Sequence, residues 1–143
     1  MRVRVAGLIL MDDSLLLVKH VKGDKTYWLL SGGGVKLGEN TRTALRREIK
    51  EEINLDGIVK DLIFVAESFF SQGDHIIQPT YLIEVKEIDN LRLGVDRRVT
   101  EFGFFRFKQI NDLIIYPDIK DELKEFIKYR KCSRKYMFKK WIN

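Results

Sequence analysis

The sequence contains few cysteines, which could cross-link the chain, and few prolines, which could interrupt its helices and strands. One cysteine, Cys132, and two prolines occur among its 143 residues. A single cysteine excludes an internal disulfide, so the fold depends on its packed core. No apolar run approaches the ~20 residues that a membrane-spanning helix needs, and the N-terminus lacks the basic, apolar and small-residue pattern of a signal peptide. These absences predict a cytoplasmic protein without a membrane segment.

The composition is that of a folded domain. Hydrophobic residues make up 45% of the chain and charged residues 33%, a balance that fills a core and excludes disordered and collagen-like proteins. A chain of 143 residues suits one compact domain. We expect that domain over residues 1–130, followed by a basic C-terminal tail over residues 131–143.

The net charge of +5 comes from that tail. Residues 131–143 contain five basic side chains and no acidic one, whereas the preceding residues contain 21 of each sign. The excess therefore says little about a functional site. Because short basic runs are weak indicators of nucleic-acid binding, we favour a solvated or helix-extending tail over a dedicated nucleic-acid arm.

Hydrophobic periodicity predicts the order β-β-β-α-β-β-β-α-α. Three consecutive glycines, residues 32–34, end the third predicted strand and allow backbone to approach closely. Thr41 or Thr43 is the predicted N-cap of the first helix, and Asn54 is its predicted stop because asparagine tolerates the left-handed conformation. This order predicts an α/β (α+β) fold with helices on the faces of a mixed sheet. The predicted strands cover residues 3–10, 15–19, 27–30, 58–70, 76–85 and 102–107, and the predicted helices cover residues 41–53, 109–113 and 118–129.

The first predicted helix carries a cluster of carboxylates. At about 100° per residue, Glu48, Glu51 and Glu52 fall on one side of the helix, beside its core-facing stripe. Like charges at three- and four-residue spacing repel, and a divalent cation would offset that repulsion. Mg²⁺ prefers carboxylate and carbonyl oxygens and shares its shell with substrate phosphates. The glycines ahead of the helix would contribute a bare carbonyl.

The same glutamates have a simpler interpretation. Surface helices often carry solvated acidic faces, and Arg46, Arg47 and Lys50 are ordinary ion-pair partners for them. Taken alone, the three glutamates favour this interpretation. The triple glycine and its spacing to the helix favour the metal site instead.

The spacing in this region resembles a known motif. Gly33 is followed after five residues by Glu39, and after seven more by residues 47–55, which read Arg-Glu-Ile-Lys-Glu-Glu-Ile-Asn-Leu. This pattern resembles the Nudix box, with Asn54 in place of the usual glycine. Ser31 also departs from the family pattern, which commonly has proline there. The resemblance implies the family's α/β/α sandwich with a mixed sheet.

By the same resemblance, the chain would hydrolyse a nucleoside diphosphate linked to another moiety, through attack of water on phosphorus. The implied cofactor is Mg²⁺, with Mn²⁺ as a substitute. Glu48 and Glu52 would bind the metal, and Glu51 would bind another ion or position the attacking water. A backbone carbonyl of Gly32 or Gly33 would complete the metal shell.

Two further roles follow from the resemblance. Arg47 would hold the glutamates in place, and Glu39 would tie the glycine loop to the helix. The general base is open because family members recruit it from the box or from a later loop. Glu101 is the best later candidate, since its segment resembles the acid-containing loop of the family, and Glu67 is an outside candidate.

Other side chains are weaker candidates. Lys36 replaces an acid that is common in the family and is a candidate to contact a substrate phosphate. Four aromatic side chains are candidates to stack on a base, although aromatic side chains beside strands are more often core: Phe69, Phe70, Trp28 and Tyr27. His20 and His75 lack zinc-site spacing and are interpreted as surface or loop residues.

Substrate and partners stay open within this interpretation. A nucleoside triphosphate, an ADP-ribose-like compound and a dinucleotide all fit the implied chemistry. The alternatives are a non-catalytic nucleotide-binding or regulatory module of the same fold and an RNA 5′-pyrophosphohydrolase that uses the basic tail. An intact set of repelling carboxylates argues against a pure binding module. The resemblance also makes a homodimer one expected assembly.

Overall fold

The structure, a computed structural model, describes residues 1–69 and 73–141. Nine strands and three helices lie within these ranges. None of these helices is both long and apolar enough to cross a bilayer. In chain order the elements are β1 (Arg2–Leu8), β2 (Leu10–Met11), β3 (Ser14–Lys22), β4 (Lys25–Leu29), β5 (Gly32–Gly34), α1 (Thr41–Ile53), β6 (Ile58–Phe69), β7 (His75–Glu84), β8 (Val99–Arg106), α2 (Phe107–Ile110), α3 (Lys120–Tyr129) and β9 (Tyr136–Phe138).

The strands form two sheets. The five-stranded sheet has the order β5-β1-β7-β6-β9 and is mixed, because β1 pairs with β7 in parallel whereas β6 pairs with β7 antiparallel. The second sheet is built around β3, which pairs antiparallel with β2, β4 and β8. The predicted α/β architecture with a mixed sheet is therefore confirmed.

Strand β3 is buried on both faces and separates two hydrophobic clusters. Because successive strand side chains point to opposite faces, Leu16 and Val18 join the cluster that contains Ile49 of α1. Leu15 and Leu17 join the cluster formed with α3. A helix therefore covers the core on each side.

The glycine run is a strand, where the sequence predicted an end to regular structure. Gly33 pairs with Val5 in an antiparallel ladder between β5 and β1. A Cβ atom on Gly32 would lie 1.9 Å from the carbonyl oxygen of Val5, so only glycine allows this approach. The pairing fixes the glycines to the sheet directly in front of α1.

The caps of α1 match the sequence prediction at one end. Its N-cap is Asn40, whose side chain accepts a 2.8 Å hydrogen bond from the amide of Thr43, so the predicted capping by Thr41 or Thr43 is wrong. Its C-cap is Asn54 in the left-handed conformation at φ 57°. The predicted role of Asn54 as the helix stop is therefore confirmed.

The C-terminal segment packs against the domain through β9, which pairs in parallel with β6. Met137 and Trp141 are buried, and the ammonium of Lys139 lies 3.1 Å from the carboxylate of Glu122 in α3. α3 ends before Arg130, which adopts a left-handed φ of 60°. The expected extension of α3 is therefore wrong, whereas most of the basic side chains of this segment are exposed, as expected of a solvated tail: Lys131, Arg134, Lys135 and Lys140.

Candidate active site

Glu52 sits beneath the glycine strand, in the last turn of α1. It is 7% exposed, and its Oε1 accepts a 2.6 Å hydrogen bond from the hydroxyl of Ser31. The amide of Gly32 donates a longer bond of 3.3 Å to the same oxygen. The other oxygen, Oε2, lies 3.8 Å from Nε2 of His20. These contacts fix the carboxylate at the start of β5.

Glu48 lies one helical turn before Glu52 and directly against Gly33. A Cβ atom on Gly33 would lie 2.2 Å from Cδ of Glu48, so the glycine leaves the space that the carboxylate fills. Burial raises the pKa of Glu48, and the neighbouring charges of Glu51 and Glu52 raise it further, although Arg47 acts in the opposite direction. A bound cation would favour the charged form of this carboxyl.

Arg47 joins the loop to the helix. Its Nε and Nη2 donate bonds of 2.7 and 2.8 Å to the two oxygens of Glu39, and Nη2 also donates to the carbonyl of Gly34 at 3.1 Å. Its Nη1 donates to Glu48 at 2.9 Å and to Glu51 at 3.3 Å. The bond from Arg47 is the main cause that lowers the pKa of Glu39 to about 2. The guanidinium thus holds three carboxylates and the carbonyl at the end of β5 in fixed positions.

Glu48 and Glu52 line one cavity of about 170 Å³ together with the glycines of β5. A second cavity of about 380 Å³ adjoins it and contains the aromatic side chains of Tyr27, Tyr116 and Trp141. We call the first of these spaces the acidic cavity and the second the aromatic cavity. The wall of the acidic cavity is completed by Arg2, Val3, Arg4, His20, Ile76, Asp96 and Arg98.

The donor set of the acidic cavity suits a hard divalent cation that keeps part of its water shell. Among the described residues, no group of three or more His, Cys, Asp and Glu side chains is placed to hold a metal ion by itself. Mg²⁺ is ordinarily held by one or two carboxylates, waters and substrate phosphates. Glu48 and Glu52 supply two such carboxylates. Glu51, the third predicted ligand, is 57% exposed and lines neither cavity.

The structure does not bring the two candidate bases from outside the box to this cavity. Glu101 is exposed on β8, opposite Lys19 of β3. Glu67 lies on β6, where it accepts hydrogen bonds from His75 and Tyr136 that lower its pKa. Neither glutamate lines the acidic or the aromatic cavity.

Of the predicted substrate contacts, Tyr27 lines the aromatic cavity, but the others that the structure describes lie elsewhere. The amide of Lys36 donates a 2.8 Å bond to Glu39, and Lys36 is exposed outside both cavities. Phe69 is 52% exposed and makes edge contacts with His75 and Phe138. Phe70 lies outside the described residues.

His20 is the site residue whose position the sequence interpretation missed. Its side chain is only 14% exposed, and it lines both cavities. Within the described residues its Nε2 has no hydrogen-bond partner. The alternation of β3 indicated this position. His20 lies two residues after Val18, which is fully buried, and side chains two residues apart on a strand point to the same face.

Comparison with protein-family models gives a match to the NUDIX domain over residues 1–128. The chain belongs to the Nudix family. The match covers the box, both sheets except β9, and nearly all of α3. The family predicted from the box residues is therefore confirmed.

Curated relatives of this Nudix chain carry several activities in their names. This chain is 35% identical over 106 residues to an ADP-ribose pyrophosphatase of Methanocaldococcus jannaschii, and the alignment covers 70% of this chain and 60% of that protein. It is 44% identical over 64 residues to the nucleoside triphosphatase NudI of Salmonella heidelberg, covering 43% and 45%. The chain thus spans about half the length of these relatives. An RNA pyrophosphohydrolase of Pelagibacter ubique is 23% identical over 146 residues, covering 85% and 90%.

Solved structures share the fold. A Nudix hydrolase from Nitrosomonas europaea superposes with a TM-score of 0.80 at 21% identity, covering 92% of this chain and 90% of that one. A MutT Nudix hydrolase from Burkholderia pseudomallei superposes with a TM-score of 0.75 at 25% identity, covering 87% and 95%. The Nudix sandwich expected from the sequence is therefore the fold of this chain.

Proposed function

We propose that this Nudix protein is a Mg²⁺-dependent pyrophosphohydrolase that cleaves a phosphoanhydride bond in a nucleoside diphosphate linked to another moiety. The observation that carries the proposal is the pair of carboxylates, Glu48 and Glu52, that share one cavity with the glycines of β5. Two of the relatives are named as a pyrophosphatase and a nucleoside triphosphatase, and these names support the same class of bond.

When bound at Glu48 and Glu52, Mg²⁺ or Mn²⁺ would neutralise phosphate charge and lower the pKa of a coordinated water. The residues of this chain prepare that site. Ser31 holds one Glu52 oxygen at the start of β5, and Arg47 holds Glu48 against Gly33. Because these contacts exist before a ligand binds, little reorganisation is needed at the moment of reaction.

A catalytic site accounts for this arrangement better than a nucleotide-binding module does. Burial raises the pKa of Glu48, which means that the protein holds a carboxylate where its charge is poorly solvated. Perturbed carboxylates in a cleft are typical of functional sites. A module that only binds an anionic nucleotide gains nothing from two carboxylates beside the phosphates.

Hydrolysis assays with Glu52→Gln test the proposal. The wild type is incubated with Mg²⁺ and a panel of nucleoside triphosphates, ADP-ribose and dinucleoside polyphosphates, and released phosphate, pyrophosphate and nucleoside monophosphate are quantified. Glutamine retains the acceptor for Ser31 but removes the negative charge, so we expect the fold to persist and the rate to fall by roughly a hundredfold or more.

The matched control is Glu84→Gln, which removes an exposed carboxylate paired with Lys60 on the five-stranded sheet. We expect wild-type rates from this variant. A wild type that hydrolyses no member of the panel, or a folded Glu52→Gln variant with the wild-type rate, would overturn the proposal.

Triphosphorylated RNA is a second candidate substrate. Of the three relatives described above, the RNA pyrophosphohydrolase aligns with this chain over the largest share of both sequences. In addition, Lys131, Arg134 and Lys135 are exposed at the C-terminal end. These three residues lie outside β9, so we expect this strand to persist when they are changed to glutamine. If RNA is the substrate, the variant should hydrolyse 5′-triphosphorylated RNA more weakly and with a smaller salt dependence, while nucleoside triphosphate hydrolysis is unchanged.

A further inference from the structure

The segment that joins β7 to β8, residues 85–98, runs past the C-terminal end of α1 to the acidic cavity. All of its residues are described, and none lies in a helix or strand. Connections of this length without regular structure are uncommon in compact domains and usually carry function. Asp96 and Arg98 line the acidic cavity, and Arg98 also lines the aromatic cavity. We call residues 85–98 the cavity loop.

Little of the cavity loop is held by burial. Residues 92–98 are exposed, and the buried contacts of the loop lie in its first half. Three apolar side chains there pack against the cluster that contains Ile49 of α1: Val85, Ile88 and Leu91. Segments with few buried contacts open easily. The second half of the loop therefore depends on hydrogen bonds for its position.

Two backbone hydrogen bonds join the middle of the cavity loop to the end of α1. The amides of Arg92 and Gly94 donate to the carbonyls of Ile53 and Glu52, at 3.1 and 2.9 Å respectively. A Cβ atom on Gly94 would lie 1.9 Å from the carbonyl oxygen of Glu51, so this approach requires glycine. The loop backbone thus lies directly against the turn of α1 that carries Glu52.

Asn54 makes a third bond to the loop, and this one comes from a side chain. Its Nδ2 donates a 2.9 Å hydrogen bond to the carbonyl of Asn90. Asn54 stands where the Nudix box usually has glycine, and its left-handed φ of 57° ends α1. Glycine ends a helix equally well but has no side-chain donor. The asparagine therefore adds a contact to the cavity loop that the usual residue cannot form.

Beyond these bonds the cavity loop carries an ion pair to the wall of the acidic cavity. Oδ1 of Asp96 accepts a 3.2 Å bond from Nε of Arg98, and Oδ2 accepts a 2.9 Å bond from Nη2. The carbonyl of Arg98 accepts a 2.9 Å bond from the amide of Val21, which fixes the far end of the loop at β3. The direction of the Arg98 guanidinium therefore follows the position of Asp96, and hence of the loop before it.

We propose that Asn54 is a positioning residue for the active site. Through its bond to Asn90 it holds the cavity loop on α1, and the loop in turn holds Asp96 and Arg98 at the wall of the acidic cavity. This inference rests on the proposed hydrolase function and adds to it a residue that acts without touching the substrate. Because the loop is ordered before a ligand binds, its ordering does not weaken binding.

Asn54→Gly removes the side-chain donor and keeps the left-handed cap, so we expect a folded protein of near-wild-type stability. Hydrogen-exchange mass spectrometry should show faster exchange of residues 85–98, with α1 as protected as in the wild type. For the nucleotide that the wild type hydrolyses, KM should rise about two- to tenfold, the range that one neutral hydrogen bond corresponds to. The value of kcat should not change, because the loop is ordered again once the substrate is bound.

Asn54→Asp separates the lost donor from the added freedom of glycine. Aspartate tolerates the left-handed conformation and has nearly the same size, but it places an acceptor oxygen opposite the carbonyl of Asn90. We expect the loop exchange and KM to change in the same direction as in Asn54→Gly. A folded Asn54→Asp variant with wild-type loop exchange would overturn the inference, because the donor would then not hold the loop.

Asp12→Gly is the matched control. Asp12 has a similar left-handed φ of 54°, in the turn between β2 and β3, and it lines neither cavity. We expect wild-type loop exchange and wild-type KM from this variant. Equal changes in Asp12→Gly and Asn54→Gly would assign the effect to backbone freedom and overturn the role of Asn54.

The two readouts also separate this inference from the hydrolase proposal. Unchanged loop exchange or unchanged KM in a folded Asn54→Gly variant would overturn the positioning role and leave the hydrolase proposal intact. A wild type without hydrolytic activity would overturn the hydrolase proposal instead, and the exchange data would then decide alone whether Asn54 holds the cavity loop.

Discussion

The hydroxyl of Ser31 donates a 2.6 Å hydrogen bond to Oε1 of Glu52, and both side chains are buried. The bond connects the residue that precedes β5 to the last turn of α1. The family pattern commonly has proline at the position of Ser31, and proline has no side-chain donor. In this chain the hydroxyl of Ser31 therefore holds Glu52, the most buried glutamate of the box, through a hydrogen bond that proline could not form.

Ser31→Ala should destabilise the protein by about 1.5–3 kcal/mol, the usual contribution of a hydrogen bond to a charged group. The loss arises because Glu52 stays buried with only the longer bond from Gly32. We expect the loss to be smaller in Mg²⁺, since a bound ion would compensate the carboxylate. Chemical unfolding with and without Mg²⁺ measures both values.

Ser68→Ala is the control for that experiment. Ser68 is also buried, but its Oγ has no hydrogen-bond partner within the described residues. Removing this hydroxyl should leave the free energy of unfolding unchanged or slightly increased. If both alanine variants lose the same stability, the Ser31 bond is not the cause.

Gly33→Ala should lower hydrolytic activity more than stability. The new methyl group would lie 2.2 Å from Cδ of Glu48, and the carboxylate must move because it is the flexible end of a side chain. A displacement of about 1 Å in a catalytic group costs on the order of a hundredfold in rate. Steady-state kinetics and thermal unfolding of the same variant separate the two effects.

Gly34→Ala provides a neighbouring comparison. A Cβ atom on Gly34 meets nothing within 4 Å, and its φ is not in the left-handed region. We expect near-wild-type stability and activity. An equally inactive Gly34 variant would indicate that the strand backbone, and not the position of Glu48, controls the rate.

The parts of the site that the sequence predicted are local in the chain. Glu48 and Glu52 are one helical turn apart, and Asn54 ends the same helix, so a 3.6-residue period and a cap preference are enough to place them. Glu51 shows the limit of that reasoning. Helical spacing grouped it with the other two, but its side chain is 57% exposed and lines neither cavity.

The remaining parts depend on contacts between distant segments. Arg4 reaches Gln78, 74 residues along the chain, and His20 enters the site through the pairing of β3 with β8. Neither strand register nor sheet order follows from periodicity. Strand β9 was missed for a related reason, because an edge strand of three residues gives almost no periodic signal.

Glu39→Gln should weaken the acid dependence of stability. The folded-state pKa of Glu39 is lowered from 4.5 to about 2, chiefly by its bond to Arg47. A lowered pKa stabilises the fold above about pH 4.5 and loses that contribution as the pH falls toward 2. The variant should therefore melt at a lower temperature at neutral pH and show a flatter melting curve against pH in this window.

Glu84→Gln again serves as the comparison, because its carboxylate is exposed and pairs with Lys60. Melting temperatures measured from pH 7 to pH 2.5 should follow the wild type in this variant. A Glu39 variant with the wild-type pH profile would contradict a stabilising ion pair between Glu39 and Arg47.

Glu101→Gln should hydrolyse nucleotides at the wild-type rate. Glu101 was the best candidate for a general base outside the box, but its side chain is exposed on β8 and lines neither cavity. A general base must come within hydrogen-bond reach of the attacking water, directly or through one more water. The pH dependence of kcat/KM, compared between Glu101→Gln and the wild type, measures this. A general base loses its function when it is protonated at low pH, so a loss of the acidic limb in the variant would show that β8 approaches the acidic cavity when substrate binds, and it would restore Glu101 as the base.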